Sequence, residues 1–430
     1  MKKVLILTYY WPPSGGAGVQ RWLKFVKYFD HYNWEPIVLT IKDGSYPSED
    51  KLLEKEIPKH VKVFKVKCLE PFKFFNLLRG KGGKSVSAGL TNFSKPSFFQ
   101  KIILYIRANY FIPDARKNWI KPAYKKALDL IEKENIDVLV TTGPPHSTHL
   151  AGLKIKEKIN VNWVADMRDP WTGVFYNKFL PRTKSTIKKD KILEKKVLQQ
   201  ADLVTVVSDG LKKEFLYKAK KIEVVYNGFD SSDFFPLKNT YVSDDFTLSY
   251  VGNLKPSQNL SCLWKVLKNL KNTNSNFKDN FKLNLIGSID SGIIEEIKRM
   301  GLINNLNING YVTHKKATEY MQKTDMLLFI IPKVEDNELI ITGKIFEYIA
   351  SETPILSVGP IGGDASNILL KAKRNNMLDY NDEVGMLYQI KYAFEEWFKT
   401  KKQTKHKGDE VLQFSRSLLT QKMTNLFESL

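Results

Sequence analysis

Short apolar runs alternate with amphipathic stretches along most of the chain. Residues 4–8 (VLILT) form a brief, wholly apolar-sided run, whereas residues 19–29 repeat Val19, Trp22, Leu23, Val26 and Phe29 at helical spacing. The first pattern predicts a buried strand and the second a helix with one apolar face. The same reading predicts strands at 36–40, 61–66, 137–141, 162–166 and 203–207. It predicts helices at 102–109, 123–134, 146–158 and 183–200. Alternation of this kind argues a parallel sheet covered by helices on both faces.

Around Tyr226-Asn227-Gly228-Phe229-Asp230 the pattern breaks into turn residues that continue through Ser231, Ser232 and Pro236 to Asp245. A second alternating series follows, with strands expected at 247–251, 283–286, 307–309, 326–330, 355–358 and 377–380. Residues 414–430 read as a final helix with Leu418, Leu419, Met423, Leu426 and Leu430 as its apolar positions. The fold class expected is therefore α/β, with two Rossmann-like doubly wound domains facing a central cleft. The domains span 1–228 and 246–409, joined by a linker at 229–245, with the helix at 410–430 expected to pack back on the first. Such folds bind ligands at the carboxyl ends of their strands. Residues 79–89, rich in glycine and serine, read as a loop.

The chain has 430 residues, enough for two substantial cores, and its 43% hydrophobic and 26% charged content is that of a globular protein. Cys68 and Cys262 lie far apart without metal spacing, which predicts reduced thiols in a cytoplasmic protein. The opening residues imitate a signal peptide only briefly, and no run approaches the ~18–20 apolar residues of a membrane span. The formal charge of +21 changes the picture because it is concentrated. Residues 72–126 hold twelve basic residues and one acid, Asp114, for a net +11, interleaved with ten phenylalanines and tyrosines. That mixture suits an anionic membrane surface, on the inner face of the plasma membrane for a cytoplasmic protein. A lysine-rich solvated face is the other reading. No nucleic-acid-binding motif is visible, so nucleic acid is not expected as a partner.

Three loops at predicted strand ends carry candidate chemistry. The first, Tyr10-Trp11-Pro12-Pro13-Ser14-Gly15-Gly16-Ala17-Gly18, links strand to helix where doubly wound folds hold phosphate or sugar, and Arg21 adds a positive charge in the following turn. It is not G-x-G-x-x-G, and no acidic residue closes the second strand, which disfavours a dinucleotide. In Thr142-Gly143-Pro144-Pro145-His146, His146 stands at a strand's carboxyl end, where it either acts as a base or hydrogen-bonds a sugar hydroxyl, or is an ordinary structural histidine. His149, one turn on, reads as a packing residue. In Asp166-Met167-Arg168-Asp169-Pro170-Trp171, the carboxylates of Asp166 and Asp169 flank Arg168. They either orient a substrate or brace the loop through an Arg–Asp pair.

A fourth candidate lies in the second half. Thr342-Gly343-Lys344 reads as a helix start, and helix N-termini present unpaired N–H groups that attract a diphosphate. Glu347 falls one turn later inside the apolar run Ile345, Phe346, Tyr348, Ile349, Ala350. It either accepts two ribose hydroxyls while Lys344 holds the attached phosphates, or forms an ordinary i, i+3 salt bridge with Lys344. Spacing leaves both readings open.

Taken in order, these motifs resemble the bacterial family-four glycosyltransferases, nucleotide-sugar enzymes of the two-Rossmann GT-B fold. Tyr9 to Gly16 with Gln20-Arg21, the His146 and Asp166 to Trp171 loops, and Val225 to Asp230 carry the first half of the likeness. Tyr250-Val251-Gly252, Gly310-Tyr311-Val312 and Lys344 to Ala350 carry the second. The resemblance implies an acceptor-binding first domain and a nucleotide-sugar-binding second domain. It implies retaining transfer of a hexosyl or N-acetylhexosaminyl group to a glycan or polyprenyl- or other lipid-linked acceptor, with no metal or other cofactor, in cell-surface polysaccharide synthesis. It assigns the pocket histidine to His146, with Asp166 and Asp169 beside it, and the acceptor or phosphate loop to Gly15, Gly16, Arg21 and Arg168. Donor contacts fall on Thr342, Gly343, Lys344, Glu347, Gly252, Asn253, Lys255, Tyr311 and Val312. Two departures stand out. The position eight before Glu347, where the family often has a second glutamate, is Leu339, with Glu338 one residue off. The usual arginine and lysine after the first donor-domain strand are replaced by Asn253-Leu254-Lys255. A sugar-nucleotide epimerase of the same fold and a catalytically silent glycan- or membrane-binding protein are the rival readings.

Overall fold

A computed structural model describes residues 1–69, 98–234 and 243–430. The predicted loop at 79–89, the basic and aromatic residues between Phe72 and Lys95, and the linker around Pro236 lie outside the described residues. The chain forms two compact units: Met1–Tyr226 with Arg416–Leu430, and Asn227–Ser415.

The first unit is built on seven parallel strands in the order β3-β2-β1-β4-β5-β6-β7. They are β1 (Lys2–Leu7), β2 (Trp34–Ile41), β3 (Lys62–Val66), β4 (Val138–Gly143), β5 (Asn162–Met167), β6 (Leu203–Val206) and β7 (Ile222–Val224). Helices α1 (Ala17–Tyr28), α2 (Phe98–Tyr110), α3 (Ile120–Glu134), α4 (Ser147–Lys158), α5 (Lys184–Gln200) and α6 (Asp209–Phe215) connect them. Every residue of β4 is buried, whereas edge strand β3 alternates toward solvent, as expected when helices cover both faces of a parallel sheet. The last helix, which we label α14 (Arg416–Glu428), closes this unit. Its Phe427 ring packs 5.2 Å from Trp34 and 6.1 Å from Phe29.

The second unit has five parallel strands in the order β10-β9-β8-β11-β12. They are β8 (Phe246–Val251), β9 (Phe281–Ile286), β10 (Leu306–Asn309), β11 (Met326–Ile330) and β12 (Ile355–Val358). Its helices are α7 (Ser261–Thr273), α8 (Ser275–Asn280), α9 (Ser291–Arg299), α10 (His314–Lys323), α11 (Lys344–Ala350), α12 (Asp364–Lys371) and α13 (Glu383–Thr400). Each sheet starts at its centre and reverses direction beside its first strand, between β1 and β4 and between β8 and β11. Those reversals open a crevice at the strands' carboxyl ends, and they decide where ligands can enter.

Three expectations need correction. Residues 377–380 are not a strand: Leu378 makes one bridge to Val358, and the chain is then captured in turns by Asp379 and by Asp382, which caps α13. The short α6 and β7 escaped the apolar pattern because they span no more than two periods each. The final helix begins at Arg416 rather than 414, since residues Asp409–Phe414 form a tight 3-10 turn.

Candidate functional site

In the first unit the loop after β1, the loop after β4 and the loop after β5 meet at the reversal point. Gly16 has φ 106°, a left-handed backbone that favours glycine. Gly15 donates its N–H to the Ser48 carbonyl at 2.9 Å, tying the loop to the segment after β2. A methyl group on Gly18 would sit 1.7 Å from Nη1 of Arg168, so the guanidinium lies directly on the backbone of α1's first turn. Arg168 also donates to the carbonyls of Gly143 at 3.1 Å and Pro144 at 2.6 Å. It therefore ties all three loops together, and Gly18 is the residue the motif reading passed over.

Arg21 and Asp166 face each other in the core. Both are fully buried and paired, Nη2 to Oδ1 at 2.8 Å. Asp166 also accepts from Trp22 Nε1, Thr142 Oγ1 and Thr205 Oγ1, each at 2.8 Å. Arg21 donates its remaining Nη1 to the Tyr226 carbonyl. Burial opposes charge on Asp166, but the Arg21 charge and hydrogen bonds hold its carboxyl below the usual range. This buried pair joins α1 to β5 and β6, which corrects the catalytic reading of Asp166 and the phosphate-binding reading of Arg21. Asp169, by contrast, is exposed; the loop's burial raises its carboxyl pKa, and the charge of the neighbouring Arg168 opposes that rise.

His146 immediately precedes α4. Its ring stacks on Trp171 with centroids 4.9 Å apart and planes 7° apart, and among the described residues neither ring nitrogen makes a well-formed hydrogen bond, the Pro170 backbone being the polar group that acts on it. Burial drives its pKa down to about 3, so the imidazole is neutral and offers one donor and one acceptor. His149 lies deeper, held by Thr141 Oγ1 at 2.9 Å, and packs against Gly143, where a methyl would come within 2.5 Å of its Nε2. Trp171 is fixed in turn by Asp190 of α5, which accepts from its indole at 2.8 Å. Asp114 caps α4 by accepting from the Ser147 N–H at 2.8 Å and hydroxyl at 2.9 Å.

In the second unit Gly252, with φ 131°, ends β8, and Lys344 crosses it so closely that a methyl there would lie 2.7 Å from Nζ. Lys344 donates to the Tyr250 hydroxyl at 2.7 Å and sits 4.3 Å from the centre of that ring. Burial pushes its ammonium down to about 8, with Glu347 opposing the shift and the exposed Lys255 adding to it. No carboxylate reaches salt-bridge distance of Lys344 among the described residues. Glu347 turns instead to His314 of α10, Oε1 to Nε2 at 2.9 Å, so the i, i+3 salt bridge is absent. The side-chain oxygen of Thr342 is buried without a hydrogen-bond partner among the described residues. Tyr348 fastens α11 to β8 through the Val251 N–H at 2.9 Å.

Gly287, with φ 117°, lets the loop after β9 pass beside Gly252, whose carbonyl would stand 2.3 Å from a methyl at 287. The Gly287 N–H reaches the Asn309 carbonyl at 2.8 Å, and Gly310, Tyr311 and Val312 continue this row of loops. Tyr311 and Asn253 are exposed, and neither meets Lys344. Leu339 is 39% exposed, in a short turn before α11, and leaves no carboxylate at its position. His314 and Gly287 were missed in the sequence, and Tyr250 entered it only as part of a motif; each stands at or beside a strand's carboxyl end, the one signal that could have found them. No group of three or more His, Cys, Asp or Glu side chains fit to hold a metal ion occurs among the described residues.

Residues 88–233 match the sequence profile of Glycosyltransferase Family 4. No curated protein matches the chain. Among solved structures, sucrose-phosphate synthase from Thermosynechococcus elongatus is similar with a TM-score of 0.63 at 13% identity, covering 100% of this chain and 99% of that one. The S. aureus protein TarM, a mutant in complex with fondaparinux, α-GlcNAc-glycerol and UDP, gives 0.58 at 12% identity over 99% of this chain and 100% of its own. The lipopolysaccharide outer core galactosyltransferase WaaB gives 0.55 at 14% identity over 100% of both. At such identities the structural likeness is one of fold. The chain thus carries a Glycosyltransferase Family 4 signature across residues 88–233, on two Rossmann-like sheets of GT-B type.

Proposed function

We propose that this protein is a retaining glycosyltransferase that moves a hexosyl or N-acetylhexosaminyl group from a nucleotide-diphosphate sugar to a glycan or lipid-linked acceptor. Its place would be in cell-surface polysaccharide synthesis on the cytoplasmic side of the membrane. The family match over 88–233 and the fold support sugar transfer. The observation that carries the donor side is Lys344, a largely buried cation without a carboxylate partner among the described residues. A charge so placed is costly unless an anion joins it, and a diphosphate is the anion this reaction brings.

The mechanism follows from the chain's own groups. Lys344, the buried Thr342 hydroxyl and the first N–H groups of α11, beginning at Gly343, meet the leaving diphosphate as its charge grows. Lys255, exposed beside them, replaces part of the missing basic pair, and Gly252 leaves room for the phosphates. Glu347, oriented by His314, accepts the ribose hydroxyls, and the row from Gly310 to Val312 borders the base. On the acceptor side the neutral His146 hydrogen-bonds the incoming sugar or acceptor hydroxyl. Asp169 and Arg168 border that position, with Gly15 and Gly16 giving the backbone close approach. Metal-independent transfer belongs to the same proposal, so turnover is expected to survive chelation by EDTA.

The test is a panel of nucleotide sugars with and without acceptor. Free nucleotide diphosphate released only when acceptor is present supports transfer. Isomerised donor without acceptor would establish the epimerase instead, and binding without turnover a silent protein. Lys344→Ala and Glu347→Ala should each sharply reduce transfer, and near-normal rates in both would sink the donor assignment.

A further inference from the structure

Helix α2 is inside out. Phe98, Phe99, Ile102, Tyr105, Ile106 and Tyr110 form one continuous arc of the helix, and that arc faces solvent, with Phe98 and Phe99 75% and 76% exposed. Single exposed apolar residues need no explanation, but a contiguous aromatic and aliphatic stripe does. Lys101 stands at its margin, and no acid occurs between Phe98 and Ile112.

Asn109 joins this helix to α5. Its amide donates to the Pro181 carbonyl at 2.8 Å, and its oxygen accepts from the Thr183 N–H and the Thr186 hydroxyl, each at 2.8 Å. Helix α5 is sorted by charge. Lys184, Lys188, Lys191 and Lys195 follow one another on one face, Lys189 and Lys196 lie beside them, and all six are exposed. None of the six meets a carboxylate among the described residues. The helix's two acids both point inward, Asp190 to Trp171 and Arg182, Glu194 to the Thr172 N–H and hydroxyl. Ile187 and Ile192 are exposed among the lysines.

An ordinary solvated helix mixes its charges, and this protein does so elsewhere. Asp129 sits between Lys126 and Lys133 on α3, and Glu319 between Lys316 and Lys323 on α10. The segregation on α5 is therefore not the protein's general habit.

We propose that α2 and α5 together form a docking surface for an anionic lipid bilayer, with the α2 stripe seated at the headgroup–acyl boundary and the α5 lysines on the lipid charges. Neither a modest apolar insertion nor a basic patch holds a protein to a membrane firmly, whereas the two combined do. The aliphatic members Ile102, Ile106, Ile187 and Ile192 favour lipid over a nucleic acid, whose phosphates offer them nothing. Both helices also lead into the candidate acceptor site. Asp190 of α5 fixes Trp171 under His146, and Asp114, just past α2, caps the helix that His146 precedes. A lipid-linked acceptor would thus be delivered by the same elements that hold the pocket. The inference adds a partner to the proposed transferase, but its test reads binding alone and stands whether or not turnover is found.

The experiment is sedimentation of the full chain with vesicles of phosphatidylglycerol and phosphatidylcholine in equal parts, against pure phosphatidylcholine, at low and high salt. Two variants are compared with wild type: Phe98→Ser/Ile102→Ser/Ile106→Ser and Lys184→Gln/Lys188→Gln/Lys191→Gln/Lys195→Gln. All seven positions are exposed, so unchanged melting curves are expected and are measured. Binding should need the anionic lipid and weaken with salt. The lysine variant should bind at least ~tenfold more weakly, and the apolar variant should lose the binding that persists at high salt. A control, Lys265→Gln/Lys268→Gln/Lys298→Gln in the second unit, should bind like wild type. Equal binding to neutral vesicles, wild-type binding by either variant, or the same loss in the control would overturn the proposal. So would a wild-type dimer that the apolar variant dissociates, because the stripe would then serve a second copy.

Discussion

Glu347 and His314 face each other across the start of two helices, Oε1 to Nε2 at 2.9 Å. The carboxylate assigned to the ribose is thus held by the first side chain of α10, and not by the lysine on its own helix. A glutamate with freed rotamers would orient a ribose poorly. His314→Ala is therefore expected to raise the donor Kd about 5- to 30-fold, corresponding to about 1–2 kcal/mol, with a smaller change in kcat. Titration calorimetry with the donor nucleotide measures it; an unchanged Kd would show that Glu347 is positioned without the histidine.

Lys344 makes the donor site pH-dependent. Only its protonated form attracts a diphosphate, and its pKa is held down to about 8 by burial. Donor affinity should be flat well below that pH and fall as pH rises through it, by up to ~tenfold per unit. Lys344→Arg should remove that falling limb, because a guanidinium does not deprotonate in this range.

The same shift has a stability consequence of opposite sense. A lysine with a folded pKa below its ordinary 10.5 destabilises the fold at neutral pH and stops doing so as pH rises past the higher value. Lys344→Met should lose donor binding yet melt higher at pH 7, by about 1–3 kcal/mol in unfolding free energy. A lower melting temperature would contradict the burial account.

Arg21 and Asp166 should behave as a structural pair. Arg21→Met or Asp166→Asn strands a buried group and is expected to cost about 3–5 kcal/mol, read from the urea midpoint. Full stability with selective loss of turnover would instead return Asp166 to the chemistry.

His146 is expected to affect turnover and not donor affinity. His146→Gln should reduce kcat by roughly 100-fold or more while the donor Kd holds. Because burial keeps the ring neutral down to about 3, His146 should contribute no limb to the rate profile between pH 5 and 8. A histidine-like limb that vanishes in the variant would refute the neutral assignment.

Much of this protein was already written in its residue order. Apolar runs of strand length alternating with helical periodicity dictated two parallel α/β sheets, because only burial on both faces makes such runs stable. The same pattern located Gly16, His146 and Arg168 at strand ends and Lys344 at a helix start. What the order of residues left undecided was which charged groups face a substrate. Arg21 and Asp166 lie 145 positions apart and neutralise each other in the core, while Asp169, three residues on, stays exposed. Glu347 had a lysine at helical spacing but found a histidine 33 positions away. Electrostatic pairing is settled by distance and burial in three dimensions, and periodicity along the chain carries information about neither. The outward stripe on α2 is the converse case: its spacing is that of any core helix, and only packing reveals that no core among the described residues covers it.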